Sequence, residues 1–329
     1  MVISIITVFL LTITNNLKNM LMKRYLHLAI ITLCLVGCQS SRVAQESSTK
    51  RNDVLLTLMV KQIDCAINQD IIQVKYNNNT TLYYKILDNF GNVALTWDEN
   101  GRSTYDQGKS AYKGHIDIPS FVSCGENDEF IFQVVEIAEN AFWGCDKVTK
   151  ISIPYSVTRI RRNAFANCTG LNEFVVHNEN TTYMSEDGVL FSKDRKLLVL
   201  YPANKTENIF TLPKLTRFIA PDAFMNCANL TSVTIGNEVT ALSDNSFMNC
   251  VNLKTLRLGS SVRIIGKESF KNCPSLAEIY SPNLFPPHNC PVVFDSSIKE
   301  TCKVYVPVGQ ANNYKKRLEW SEFKNIVEQ

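Results

Sequence analysis

Apolar residues return along this chain at a fixed interval. In "LTSVTIGNEVTALSDNSFMNC" (230–250) they fall at Leu230, Val233, Ile235, Val239, Leu242, Phe247 and Cys250. One period of 23 residues later they fall at Leu253, Leu256, Leu258, Val262, Ile265, Phe270 and Cys273. The alternation of Val233 and Ile235 predicts a short strand. Pro154, Pro213, Gly236 or Gly259 then breaks that strand. A second apolar pair follows, and a small–Phe–x–x–Cys segment predicts one turn of helix before the next leucine.

The Phe–Cys phrase occurs at Phe142/Cys145, Phe165/Cys168, Phe224/Cys227, Phe247/Cys250 and Phe270/Cys273, in steps of 23, 59, 23 and 23 residues. No single unit buries such a face alone. Stacked units bury it continuously, so the pattern predicts a β-rich leucine-rich-repeat solenoid with short strands and short helical turns, closed by caps at both ends. The long step predicts an inserted β hairpin within 177–208, with strands near 189–191 and 197–201 around "SKDRK". In "LPKLTRFIAPDAF" Thr216 takes a valine position beside Leu215, which predicts a locally irregular coil.

The repeat "SVTIGNEVTALSDNSFMNC" resembles the BspA-like bacterial leucine-rich repeat, over about residues 81–329. The hairpin is similar to an insert common in that family. The tail "CKVYVPVGQANNYKKRLEWSEFKNIVEQ" resembles its carboxyl cap, a strand followed by a short helix on which Tyr314, Leu318 and Trp320 would pack. The resemblance implies adhesion, often to host extracellular-matrix proteins or other bacteria.

The amino terminus carries a different signal. "MKRYLHLAIITLCLVGC" begins at Met22 with two positive charges and continues through an apolar run too short to span a bilayer comfortably. This predicts a signal peptide over 1–37, with Met22 or else Met20 as the true start. "LVGC" resembles the bacterial lipobox, which implies acylation of Cys38 and an exported lipoprotein at the outer membrane or cell surface. Residues 38–53 are polar and predict a flexible tether. Residues 54–114 form an amino-terminal cap region, in which 81–97 predict two strands around "DNFGN" and 54–75 fit no clear period. The solenoid is expected over 115–281 and the carboxyl cap over 282–329.

The formal charge of +3 comes from Lys18, Lys23 and Arg24 alone, so the remainder is neutral. A neutral body lacks the basic footprint of a nucleic-acid binder.

Cysteine chemistry narrows by geometry. One thiol per coil forms a line, with no C-x-x-C pair to converge on zinc, and no cofactor is expected. Equivalent sites on adjacent coils point the same way and do not face one another as a disulfide requires. A buried thiol behaving as a small hydrophobe is the expectation for the ladder. Outside it, Cys290 and Cys302 are the candidate disulfide, and Cys65 and Cys124 are unassigned.

Catalytic signatures are lacking. The histidines His115, His177 and His288 form no H-x-x-x-H pattern, and G-x-S-x-G and phosphate-binding glycine loops are missing. A hydrolase would need His177, Glu179 and Asp187 to converge; Glu179, Glu186 and Asp187 lack the alternation of a calcium loop. Arg159, Arg161 and Arg162 could grip an anionic polymer or simply line the wet side of a turn.

What remains is surface. Outward residues of the first strands predict one row of Ser152, Val175, Thr234, Arg257 and Tyr280. A second row holds Lys150, Glu173, Ser232, Thr255 and Glu278. This is the candidate face for a protein or glycan ligand, Arg257 and Tyr280 being residue types enriched in hot spots. An envelope scaffold holding a partner of its own cell is the alternative.

Overall fold

The computed structural model describes residues 62–68, 71–76, 81–96, 112–124, 130–289 and 292–329. The signal segment, Cys38 and the tether lie outside them. The chain forms two compact units, one of residues up to Leu95 with Ser120–Val135, the other of Thr96–Pro119 with Glu136–Gln329.

The first unit opens with β1 (Gln62–Asn68), β2 (Ile71–Tyr76), β3 (Thr81–Ile86) and β4 (Asn92–Thr96), each paired in order, β1–β2–β3 antiparallel. Within the unplaced stretch 54–75, residues 62–68 and 71–75 thus supply two antiparallel strands. "DNFGN" is the expected turn between β3 and β4: Asp88 accepts hydrogen bonds from the Phe90 and Asn92 backbone N–H groups, and Gly91 takes a positive φ of 84°. After β5 (Gly114–Asp117), β6 (Phe121–Cys124) pairs antiparallel with β7 (Phe130–Ile137), which lies beside β4 in the sheet. Cys124 is disulfide-bonded.

The second unit is the solenoid. Its first ladder begins with β5, β8 (Val148–Ile153), β9 (Arg159–Ile160) being the second strand of that coil, and β10 (Glu173–Val176); β5, β8 and β10 pair in parallel. The insert supplies β11 (Tyr183–Glu186), β12 (Val189–Ser192) and β13 (Leu197–Leu200), close to the expected strands. Beyond it come β14 (Ile209–Thr211) and β15 (Phe218–Ile219), β16 (Ser232–Thr234) and β17 (Ala241–Leu242), β18 (Thr255–Arg257) and β19 (Ile264–Ile265), β20 (Glu278–Tyr280) and β21 (His288–Asn289). The even strands from β14 to β20 form one parallel ladder and β13, β15, β17, β19 and β21 the other. The carboxyl end adds helix α1 (Ser296–Thr301), β22 (Lys303–Val306), helix α2 (Ala311–Lys315) and β23 (Asn325–Glu328).

The core between the ladders is the predicted set. Phe142, Cys145, Phe224, Cys227, Phe247, Cys250, Phe270 and Cys273 are fully buried, and Phe165 and Cys168 nearly so. Phe224, Phe247 and Phe270 stack at 4.5 and 5.2 Å with interplanar angles of 10° and 6°. Two rungs had no sequence signal. Tyr201 stacks on Phe224 at 5.2 Å, and Phe294 on Phe270 at 5.4 Å. Tyr201 lies one period before Phe224, so the long step holds a further coil with the hairpin spliced into it.

The expected helical turn does not form around Phe–x–x–Cys. Two residues per coil adopt the left-handed conformation instead: Asn163 and Asn167 (φ 56° and 59°), Asp222 and Asn226 (60° and 64°), Asn245 and Asn249 (55° and 65°), Glu268 and Asn272 (56° and 57°). Asparagine tolerates this region because its short amide bonds locally. The apparently variable residue before each cysteine is therefore constrained to Asn or Gly. The Asn amides also form a ladder: Asn226 donates to Asn167, Asn249 to Asn226 and Asn272 to Asn249, at 2.8, 2.8 and 2.9 Å.

Three further expectations are corrected. The coil around Thr216 is regular: Thr216 is fully buried, its N–H donates to the Pro213 carbonyl as Val239 does to Gly236, and its hydroxyl donates to the Arg195 carbonyl. The hydroxyl finds an acceptor, so the valine site accepts threonine. Leu318 is 70% exposed, while Tyr314 and Trp320 pack against each other at 5.3 Å. Cys302 is a free thiol, fully buried against the foot of β22, so the Cys290–Cys302 disulfide does not form; Cys290 is outside the described residues. The tail is also more than a cap, since β22 and β23 continue the first ladder in parallel register.

Candidate binding surface

The thiols are held inert. The Sγ of Cys168, Cys250 and Cys273 lies 2.9, 3.1 and 3.2 Å from the carbonyl oxygen of the phenylalanine one coil earlier, as a weak donor. Burial raises the pKa of all three, and pushes Cys302 up to about 12. Neutral thiols are poor nucleophiles.

Among the described residues no hydrogen bond or ion pair joins the side chains of His177, Glu179 and Asp187. His177 uses Nδ1 to accept the Glu179 backbone N–H, Glu186 pairs with Arg195 at 3.3 Å, and Asp187 occupies a left-handed turn (φ 49°). A Ser–His–Asp set does meet on β5 and β8, where His115 Nε2 lies 2.8 Å from Ser152 Oγ and 3.0 Å from Asp117 Oδ1. Both contacts use one ring nitrogen. A relay needs the two nitrogens separately engaged, so this set is a surface hydrogen-bond cluster. Of the three arginines, Arg159 and Arg161 pair with Glu136 at 3.3 and 2.8 Å, leaving Arg162 without an ion pair among the described residues.

The predicted rows exist, in two pieces. Lys150 and Glu173 are cross-strand partners joined by a 2.9 Å ion pair, and Ser152 faces Val175. Ser232, Thr255 and Glu278 align on β16, β18 and β20, as do Thr234, Arg257 and Tyr280. Between Val175 and Thr234 the row is interrupted. β10 and β14 belong to separate sheets, and the true neighbour of Thr234 is Thr211. The hairpin is spliced between β10 and β13, so β14 opens the next coil without pairing to β10.

The downstream piece carries a feature the sequence rows stopped short of. The Arg257 guanidinium lies 3.8 Å above the Tyr280 ring, which stacks on Tyr305 at 4.6 Å and 13°. Tyr305 is on β22, opposite Tyr280 in the register. Its signal was the alternation in "KVYV", hidden by assigning that strand to a cap. Beside the stack, Glu278 accepts from the Tyr280 hydroxyl at 3.3 Å and from Thr255 Oγ1 at 3.5 Å. Cation–π and stacking contacts of this kind restrict the rotamers of the side chains that make them.

These features agree with known proteins at the level of fold. The chain resembles a leucine-rich repeat protein from Eubacterium ventriosum (TM-score 0.51, 20% identity, 75% of this chain and 78% of that one). It is also similar to the pneumococcal vaccine antigen PcpA (TM-score 0.40, 16% identity, 78% and 98% covered). A leucine rich cell surface protein from Faecalibacterium prausnitzii follows at TM-score 0.35 and 14% identity, with 81% and 95% covered. Among curated proteins none matches. The pattern of the BspA type Leucine rich repeat region matches in six copies over residues 114–197 and 200–300, more than half of the chain. The chain therefore belongs to the BspA-type leucine-rich repeat family.

Proposed function

We propose that this is a surface-exposed binding protein that recognises a protein or glycan through its first strand ladder, in adhesion, and is held to the membrane by an acylated Cys38. The observation that carries the reading is the Arg257–Tyr280–Tyr305 stack, a preordered set of hot-spot residue types on an extended parallel ladder. The disulfide at Cys124 supports export, because such bonds persist in oxidising compartments. A packed arginine–tyrosine–tyrosine stack supports recognition and contributes no reacting group.

The test is a pull-down of matrix proteins and glycans with the full chain and with the triple variant Arg257→Ala, Tyr280→Ala, Tyr305→Ala. Binding is expected to fall by at least about tenfold when hot-spot residues are removed. Binding left unchanged overturns the face. Protease shaving of intact cells tests the location, and a protected body overturns the adhesion reading.

A further inference from the structure

The coils on either side of the insert pair through their first strands, β8 and β10, but do not close at their second strands and corners. In an ordinary junction three alternate N–H groups of one coil reach carbonyls of the next. Asn140, Phe142 and Gly144 donate to Arg162, Ala164 and Ala166, and Asn245, Phe247 and Asn249 donate to Lys267, Ser269 and Lys271. Asp222, Phe224 and Asn226 do the same to Asp244, Ser246 and Met248. The equivalent N–H groups of Asn163, Phe165 and Asn167 find no acceptor among the described residues. The ring stack breaks at the same place: Phe165 touches Phe142 and Phe174, and Tyr201 touches Phe210 and Phe224, with no ring contact joining the two. The strands diverge there too. β9 pairs backwards with β7, β13 takes the edge of β15, and the Ile160 N–H donates to the Tyr183 hydroxyl at 3.0 Å.

The seam holds a cleft of about 290 Å³. One wall is apolar, made by Ile160, Leu197, Val199, Leu200 and Ala220. The other carries Asn163 and Phe165, whose unpaired N–H groups face the seam by the geometry of every neighbouring coil. Arg161, already bound to Glu136, Arg162 and Asp222 also line the cleft. Asp222 is half-buried and accepts from Asn245 Nδ2 at 3.1 Å. Burial raises its pKa, the Asn245 bond and the charge of Arg162 opposing that rise. Arg162 and Asp222 therefore feel each other, yet form no ion pair within 4 Å.

We propose that this seam cleft binds a small zwitterion with an apolar body, an apolar α-amino acid of the size of leucine. Arg162 and the free N–H groups take the carboxylate, Asp222 takes the ammonium, and the Leu197–Leu200 wall takes the side chain. The size follows from the volume: at about 30 Å³ per water in the liquid, the cleft accommodates roughly ten non-hydrogen atoms. The charges follow from complementarity, since a simple carboxylate would meet Asp222 and a simple amine would meet Arg162. The site lies apart from the Arg257–Tyr280–Tyr305 stack and stands or falls without it.

Titration calorimetry of the full chain with L-leucine tests the proposal, with N-acetyl-leucine and leucinamide as singly charged controls. Leucine is expected to bind with one-to-one saturation. Each blocked form is expected to bind about tenfold or more weakly, because it loses a charge-assisted contact. Arg162→Gln removes the preference for leucine over leucinamide, and Asp222→Asn removes that over N-acetyl-leucine; Asn suits the left-handed site, so the fold is retained. Val199→Trp fills the cleft and abolishes binding. Absence of saturable leucine binding, equal binding of the three compounds, or binding indifferent to these substitutions overturns the proposal.

Discussion

The coils from Phe224 to Phe270 and the seam between Phe165 and Tyr201 are written in one repeat, yet they are held together differently. In the former, rings, thiols, amides and backbone all repeat across each junction. At the seam the first strands β8 and β10 still pair, but on the corner side only side-chain and loop contacts cross, such as Asn226 to Asn167, the Asn204 N–H to the Leu171 carbonyl, and Asn204 Nδ2 to Asn172 Oδ1 at 2.9 Å. The contrast teaches that register and closeness are separable. The amide ladder and the β8–β10 pairing keep the coils aligned across the insert, while their second strands and corners stay apart.

The sharpest break of that contrast is a ring deletion on each side. Phe247→Ala removes a ring stacked on both faces and is expected to cost about 3–5 kcal/mol. Phe165→Ala is expected to cost less, because its space can merge with the seam cleft. Denaturation midpoints of the two variants check the order, and equal losses would dissolve the distinction. Next in size is hydrogen exchange. The N–H groups of Asn163, Phe165 and Asn167 should exchange at least about tenfold faster than those of Asn245, Phe247 and Asn249, because no coil-to-coil bond protects them.

Two smaller substitutions sharpen the regular side. Glu268 is the only left-handed residue among the coil corners from Asn140 to Asn272 that is not Asn, Asp or Gly. Glu268→Asn should stabilise by about 1 kcal/mol, the exposed Lys267 and Lys271 pairs it gives up being worth little. Ser246 is fully buried and its hydroxyl has no partner among the described residues, whereas Ser269 donates to Gly266 at 2.7 Å. Ser246→Ala should therefore stabilise by up to about 1 kcal/mol, and Ser269→Ala should not. Melting temperatures of the single variants decide both.

The sequence was a good guide wherever the physics acts through apolar spacing. Leu230, Val233, Val239, Leu242, Phe247 and Cys250 all occupy the core as their period required. It failed where a rung changed residue type or step. Tyr201 has asparagine where a cysteine belongs, and Phe294 follows Phe270 by 24 residues. The left-handed corners were legible in principle, as Asn or Gly before each of the five repeat cysteines, but hydrophobic patterning does not register backbone handedness. The binding face was half legible for the same reason. Arg257 and Tyr280 follow from the repeat, whereas Tyr305 required knowing that the tail continues the ladder.

The direction of the hydrogen bonds has a consequence of its own. Backbone N–H groups at the corners donate toward the carboxyl end, from Phe247 to Ser269. The asparagine amides and the cysteine thiols donate the opposite way, from Asn249 to Asn226 and from Cys250 to Phe224. Aligned dipoles add along a helix; here the side-chain set runs counter to the backbone set and offsets part of it at each junction. A coil added to such a column brings both sets together, so each junction is stitched in both directions whatever the number of coils.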